Sequence, residues 1–213
     1  MSALHLFRHM NIRKHFCTIT KHRWLVMKAC FKMGLYWQGL VHDLSKYSPS
    51  EFIPGAKYYV GYRSPNDMQR KNEGYSSAWL HHKGRNMHHF EYWYDYRLDE
   101  NEKIVISPVR MPVKYVAEMV ADRLAASKVY QGKDYTDASA FEYYEKGRRR
   151  GSLMHEDTEE LLGNILLMIK ECGEKEALAF VKSKVLKCGY DTGFDHNIND
   201  YYSQKVNISE AGL

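Results

Sequence analysis

The sequence has few of the features that would place it in a membrane or in an oxidising compartment. Its four cysteines, Cys17, Cys30, Cys172 and Cys188, show no CxxC spacing. No secretory signal is recognisable, so we expect reduced thiols, no disulfides and a cytoplasmic protein. Apolar runs are short and interrupted by basic residues or histidine, far below the roughly 20 residues that a membrane span needs. We therefore expect a soluble protein without a membrane partner.

The sequence also contains no internal repeat and no low-complexity linker, so nothing argues for a second independent domain. A chain of 213 residues with 44% hydrophobic content can bury a sizeable core. We expect a single domain over residues 1–213, with the metal-site core at about 15–131, further helices at about 138–188 and a polar tail at 189–213.

Basic residues exceed acidic residues only modestly. The chain has 31 Lys and Arg against 26 Asp and Glu, a formal charge of +5. Such an excess favours anionic partners such as nucleotides but does not demand nucleic acid. The Arg-Arg-Arg run at 148–150 is more typical of a solvated helix end than of a nucleic-acid patch, so nucleic acid is a less favoured partner.

Helical periodicity dominates the first part of the chain. Apolar residues recur at helical spacing over 19–35, and His22 shares their face, which directs it toward the core. A short second helix is expected to end near 42–43. The Ser-Pro-Ser-Glu sequence at 48–51 offers an N-cap serine, a proline in the first turn and a glutamate at the capping-box position. This pattern predicts the start of a third helix.

The middle of the chain is less regular. Turn-forming residues at 63–67 predict a loop between Gly61 and Gly74 that could close over a site. A helical segment at 76–82 is interrupted at Gly84 before an aromatic-rich segment begins at His88. Alternating apolar residues predict a small β-hairpin near 94–109.

The clearest helix is predicted from Pro112 to about Tyr130, with Gly132 just past its end. Asp122 lies in the middle of this helix beside apolar residues, where a carboxylate is costly to bury unless it binds a cation or hydrogen-bond donors. Three more helices are expected at 138–150, 157–172 and 174–188. The predicted fold class is therefore all-α, with the hairpin as a small addition.

Histidine and aspartate form the most informative pattern. The adjacent pair His42 and Asp43 has His22 upstream and Asp122 far downstream. Imidazole and carboxylate ligands together suit divalent ions such as Mn, Fe, Zn, Mg, Co or Ni. Asp43 can bridge two ions through its two oxygens. His15 is an alternative to His22 as the upstream ligand.

A second ion can also be accommodated, because four further histidines follow Asp43 within about fifty residues: His81, His82, His88 and His89. Two ions point to phosphoester hydrolysis, since they lower the pKa of a bridging water and clamp the attacked phosphate. The sequence does not decide which member of each histidine pair is a ligand.

The order of His22, the 42–46 segment and Asp122 resembles the HD-domain phosphohydrolase superfamily, over about residues 15–131. The sequence His-Asp-Leu-Ser-Lys at 42–46 is similar to the His-Asp-x-x-Lys form of many members, and Ala-Asp-Arg-Leu at 121–124 resembles the surroundings of the family's last ligand. The chain also resembles a set of bacterial and phage proteins of this type, for which His-His-Lys-Gly-Arg-Asn-Met-His-His at 81–89 is the expected signature.

This resemblance implies an HD-domain-like helical bundle that holds one or two divalent ions. The ligands we assign are His22, His42, Asp43, His81, His88 and Asp122. Catalytic roles in activating water, stabilising charge and moving protons are assigned to Asp43, Lys46, His82 and His89. Substrate phosphate is expected to meet Lys46, Arg85 and Arg123. The Gly-Tyr-Pro signature of the branch that cleaves cyclic dinucleotides is missing after His81-His82, which disfavours that substrate.

The predicted activity is hydrolysis of a nucleotide or another small phosphoester by a metal-activated water. Two alternatives remain open. A helical scaffold of histidine and carboxylate ligands can also hold two irons and activate oxygen. The chain could instead be a noncatalytic nucleotide- or RNA-binding module, which would bind with salt-dependent affinity and without turnover. The sequence predicts no oligomeric state.

Overall fold

A computed structural model describes residues 11–194, in which helices predominate and one small antiparallel sheet occurs. The helices before the sheet are α1 (Ile12–Met33), α2 (Tyr36–Val41), α3 (Pro49–Lys57), α4 (Pro65–Glu73) and α5 (Ser77–Lys83). Strands β1 (Tyr94–Leu98) and β2 (Ile104–Pro108) follow. The remaining helices are α6 (Val113–Gln131), α7 (Ser139–Arg148), α8 (Glu156–Cys172), α9 (Glu174–Phe180) and α10 (Leu186–Cys188), the last two joined by a π-helical segment, Val181–Val185. The prediction of a mostly helical fold with a small sheet is confirmed.

The core lies where α1, α6, α7, α8 and α9 meet. Helix α1 packs along α6, and α8 contacts both α6 and α7. Their fully buried apolar side chains include Val26, Cys30 and Met33 from α1, Val120 and Leu124 from α6, Phe141 from α7, and Leu162, Ile165 and Ile169 from α8. This packing fixes α1 against α6, which is the pair of helices that carries His22 and Asp122.

The predicted β-hairpin near 94–109 is also confirmed. Its strands pair antiparallel from Tyr94 opposite Pro108 to Leu98 opposite Ile104. None of the helices within residues 11–194 combines the length and the apolar character that crossing a bilayer requires. Most of the predicted polar tail, residues 195–213, lies outside the described residues.

The prediction of a loop between Gly61 and Gly74 is wrong over most of its length, because α4 occupies Pro65–Glu73. Ser64 occupies the N-cap position, Pro65 takes the first helical position, and Gly74 ends the helix in a left-handed conformation with φ 81°. Proline at the start and glycine just past the end are ordinary helix signals. The turn-forming composition of 63–67 therefore reflected a helix start rather than a loop.

The start of α3 is where the sequence places it, but the predicted capping box does not form. Ser48 is the N-cap residue, yet its side chain makes no capping hydrogen bond. The Glu51 carboxylate instead accepts hydrogen bonds from two histidines of α5, His81 and His82. A side chain assigned to local helix capping thus serves a tertiary contact.

Truncating the core between α6 and α8 should cost much of the protein's stability. Leu162 is completely buried, so Leu162→Ala should lower the free energy of unfolding by about 2–5 kcal/mol through lost burial and the cavity left behind. Leu153, 67% exposed, provides the matched control. Urea denaturation should show little change for Leu153→Ala, and equal effects of the two substitutions would contradict this packing.

Candidate metal centre

The backbone at the His-Asp pair directs two consecutive side chains inward. His42 follows the last residue of α2, and Asp43 adopts a left-handed conformation with φ 53° before the 3₁₀ turn Leu44–Tyr47. This conformation is uncommon for a residue other than glycine and marks positions that the surrounding structure constrains. Both side chains are buried, with relative exposures of 1% for His42 and 0% for Asp43. The pair therefore lies inside the bundle rather than at a solvated helix end.

One group of candidate ligands lies on the Oδ2 side of Asp43. His22 Nε2 from α1 is 2.9 Å from Asp122 Oδ1 of α6 and 3.5 Å from Asp43 Oδ2. His42 Nε2 is 3.2 Å from Asp43 Oδ2 and 3.5 Å from Asp122 Oδ1. Two imidazoles and two carboxylates thus present one atom each to a common point. We call this set the first group.

A second group lies on the Oδ1 side of Asp43. His82 Nε2 is 3.2 Å from Asp43 Oδ1, and His88 Nε2 is 3.5 Å from the same oxygen. His89 completes a set whose four ligand atoms lie within 4.8 Å of one another. Asp43 belongs to both groups and offers one oxygen to each, which is the arrangement of a carboxylate bridging two ions.

Buried polar atoms without hydrogen-bond partners surround Asp43. They are both carboxylate oxygens of Asp43 and the Nε2 atoms of His22, His42, His82, His88 and His89. Buried polar atoms in proteins are nearly always satisfied, and a cluster of exceptions needs an explanation such as a bound ion. All seven atoms belong to the two groups. Their chemistry fits divalent cations, and the donor set contains no thiolate.

A carboxylate behind these ligands orients two of the imidazoles. Glu118, one turn before Asp122 on α6, accepts hydrogen bonds from His42 Nδ1 at 2.9 Å and His88 Nδ1 at 3.1 Å. Metal-binding histidines usually donate their other ring N–H to such a carboxylate, which fixes the ring and the tautomer. These two histidines and Glu118 could also form a third ligand set. We assign Glu118 the orienting role because the free nitrogens of both rings face Asp43.

Glu51 performs the same role for the second group. Its Oε2 accepts from His82 Nδ1 at 2.8 Å, and its Oε1 accepts from His81 Nδ1 at 2.7 Å. Because Glu51 holds the Nδ1 of His82, the Nε2 of that ring is directed at Asp43. His81 contacts the same carboxylate but is not a member of the second group.

The charges around the centre affect its ligands in different ways. Burial opposes protonation of His42 and His82, but Asp43 raises the pKa of both rings, which disfavours the neutral form that binds an ion. Burial opposes ionisation of Asp43, but His42, Lys46 and His82 hold the pKa of its carboxyl well below the ordinary value. Burial, together with the neighbouring His88 and His82, keeps the pKa of His89 well below that of an ordinary imidazole. Asp43 is thus an anion and His89 is a neutral imidazole, the forms in which each binds a cation.

Of the three residues predicted to bind phosphate, Lys46 is the one that forms an ion pair with a residue of the two groups. Its Nζ lies 2.5 Å from Asp43 Oδ2. Burial opposes its charge, but Asp43 and Asp122 raise the pKa of Lys46 above its ordinary value. Arg85 is instead exposed and donates to the His81 carbonyl, and Arg123 is half-buried with its Nε unpartnered.

The structure brings together most of the residues assigned from the sequence, with a different division of roles. His22, His42, Asp43, His88 and Asp122 lie in the two groups, as do His82 and His89, which the sequence analysis assigned to catalysis. His81 also contacts Glu51 through its Nδ1, but unlike His82 it belongs to neither group. His15, the alternative to His22, also lies outside both groups.

Glu118 and Glu51 were not recognised as site residues from the sequence. Glu118 precedes Asp122 by four residues, so both carboxylates face the same side of α6, and this spacing was an available signal. Glu51 was assigned to a capping box because a serine stands three residues before it. No local pattern distinguishes that role from the contact with α5.

The chain belongs to a family of unknown function, DUF5662, whose model matches residues 11–168. This span contains all the residues of both groups and the two orienting carboxylates. No curated protein and no solved structure matches the chain.

Single substitutions should separate the two ion sites. His22→Ala removes a ligand of the first group alone and His89→Ala a ligand of the second alone, so each should reduce the bound metal from about two equivalents to about one. Asp43→Ala removes the shared carboxylate and should lose both ions. Elemental analysis after manganese or zinc loading and desalting measures this, with Asp134→Ala, at an exposed position, as the control. Full metal content in Asp43→Ala would rule out a bridging role.

Removing the charge of Glu118 should weaken metal binding without removing a ligand. Since Glu118 orients one histidine of each group, Glu118→Gln should lower the affinity for both ions by about 10–100-fold. Titration against a metallochromic chelator measures the change, and the exposed Glu142→Gln is the matched control. A change confined to one ion would show that only one of the two contacts matters.

Proposed function

We propose that this chain is a metal-dependent phosphohydrolase of the HD-domain type that acts on a small phosphoester, with the two groups around Asp43 as the residues that would hold its divalent ions. The observation that carries the proposal is the convergence of seven buried, unpartnered ligand atoms on and around one carboxylate. Their order along the chain and their carrying helices are those that the HD-domain resemblance implies: His22 on one helix, the His-Asp pair after another, and Asp122 on a later helix.

Phosphoester hydrolysis suits this arrangement better than other metal chemistry because a cation stands beside the bridging carboxylate. When bound, two divalent ions supply a water of lowered pKa and a clamp on the phosphoryl oxygens. Lys46 is placed to stabilise the negative charge that develops on those oxygens in the transition state. In this proposal the ammonium group leaves Asp43 when ions occupy the two groups, and it turns to the substrate phosphate.

The proposal changes the roles of two histidines. His82 and His89 were assigned to proton transfer, but both belong to the second group, and the Nδ1 of His82 is held by Glu51. A ring engaged at both nitrogens cannot shuttle a proton, so we assign His82 to metal binding. We assign His89 to metal binding as well, because it is a member of the same ligand set. Asp43 remains the residue that positions the attacking water, through its place between the two groups.

Activity measurements on matched lysine variants test the function. Lys46→Met should retain both ions but lower kcat on p-nitrophenyl phosphate and nucleoside monophosphates by about 100-fold, the usual effect of losing one stabilising charge. Lys133, which is exposed and distant in sequence, provides the control Lys133→Met. Asp43→Ala should be inactive even with excess manganese.

The same samples distinguish the alternatives. Bound metal without phosphate release from any ester would contradict the hydrolase, and iron content with oxygen consumption would instead support the oxygen-dependent enzyme. Saturable nucleotide binding without turnover would support the binding module.

A further inference from the structure

A small cavity adjoins the candidate metal centre and shares Lys46 and His82 with it. It lies between α1, α3, the start of α4, α5 and the end of α6. Its polar lining includes His15, Thr18, Lys46, Ser64, Asn66 and Tyr130. Among its described lining residues, Lys46 is the one lysine or arginine.

The position of the cavity follows from helix geometry. His15 precedes His22 by seven residues on α1, so the two share a face and lie about 10 Å apart along the axis. Tyr130 follows Asp122 by eight residues on α6 and lines the same cavity as His15. The cavity meets the metal centre at Lys46 and His82, which both contact Asp43, so an ester whose phosphoryl group lay beside Lys46 would have room to extend into the cavity.

The volume of the cavity, about 70 Å³, limits what it can hold. A water molecule needs roughly 10–15 Å³ on this measure, so there is room for on the order of five waters. Pockets for drug-sized ligands are several times larger, at about 300–1,000 Å³. A cavity of about 150 Å³ can hold benzene, so a space of about half that volume favours a short chain of hydroxyl-bearing carbons over an aromatic ring or a purine base.

The lining favours a neutral, hydrogen-bonding occupant. His15 is 6% exposed, and its Nδ1 has no hydrogen-bond partner. Burial, with a smaller contribution from Lys46, lowers the pKa of His15 to about 4, so the imidazole is neutral at physiological pH. Ser64 and Tyr130 add hydroxyl groups, while the Glu51 carboxylate is engaged by His81 and His82. A second phosphate would find no lysine or arginine besides Lys46 among the described lining residues.

We infer that this cavity binds the hydroxyl-bearing alcohol part of a small phosphomonoester, and that His15 selects that group by hydrogen bonding. This inference rests on the proposed function and narrows its substrate from nucleotides to short polyol phosphates. In the hydrolysis a water oxygen forms a bond to phosphorus as the ester P–O bond breaks. The polyol leaves the cavity with one proton of that water, and inorganic phosphate is the second product.

Gly55 offers an independent way to disturb His15. A Cβ at Gly55 would lie 2.3 Å from His15 Nε2, so Gly55→Ala must displace the imidazole. His15→Leu removes the hydrogen bond that we propose between His15 and the substrate hydroxyl, and it keeps a side chain of comparable size. Gly147 in α7 has nothing within 4 Å of an added Cβ, which makes Gly147→Ala the matched control.

The experiment compares glycerol 3-phosphate, adenosine 5′-monophosphate and p-nitrophenyl phosphate, using manganese-loaded protein. We expect kcat/KM on glycerol phosphate to exceed that on the nucleotide by at least 10-fold. Gly55→Ala and His15→Leu should each lower kcat/KM on glycerol phosphate by at least 10-fold, mainly by raising KM. Metal content and turnover of p-nitrophenyl phosphate, whose ring is too large for the cavity, should change less than 3-fold. Gly147→Ala should match the unsubstituted protein throughout.

Calorimetric binding of glycerol phosphate separates failure of this inference from failure of the proposed function. If nothing is hydrolysed but binding weakens at least 10-fold in His15→Leu, the cavity assignment stands and the hydrolase fails. If the nucleotide is hydrolysed as fast as glycerol phosphate and neither variant alters the preference, the cavity assignment is overturned and the hydrolase stands. Absence of both binding and hydrolysis overturns both.

Discussion

The structure depends on how the buried carboxylate of Asp43 is neutralised. A fully buried charge is costly unless cations or hydrogen-bond donors surround it. Here Lys46 contacts Oδ2, and the nearest imidazole nitrogens come from His42 and His82. The lysine stands against one oxygen only, and both oxygens lack a hydrogen-bond partner of good geometry. Two cations, one at each oxygen, would satisfy the carboxylate and the converging imidazoles together.

The helical bundle holds the ligand atoms around Asp43 in place. The apolar packing of α1 against α6 sets His22 beside Asp122, and α8 also packs against α6. The second group depends on less regular structure, because His88 and His89 follow the end of α5 in a turn. Glu51 on α3 and Glu118 on α6 supply the rigidity there, since each carboxylate comes from a helix and holds a histidine of that group. In the second group, hydrogen bonds to helical carboxylates thus hold histidines that regular secondary structure does not fully position.

The sequence predicted what local patterns and residue order can specify. Helical periodicity located the long helices, and alternation located the hairpin near 94–109. The order of His22, the His-Asp pair and Asp122 identified residues that meet in space. The choice between His81 and His82 could not be made, because it depends on the rotation of α5 against α3. That rotation is fixed by the contact of both rings with Glu51, a tertiary interaction without a sequence pattern.

The two groups are coupled at two points, which bears on how the centre would fill. Asp43 gives one oxygen to each group, and Glu118 holds His42 of the first group and His88 of the second. If an ion occupied either group, Asp43 would be held in place and the histidines aligned by Glu118 would be engaged, so part of the entropic cost of ordering the other group would already be met. Repulsion between two adjacent cations opposes this gain, and the negative charges of Asp43, Asp122 and Glu118 reduce that repulsion. Occupancy of the second group therefore depends on the same carboxylates that build the first.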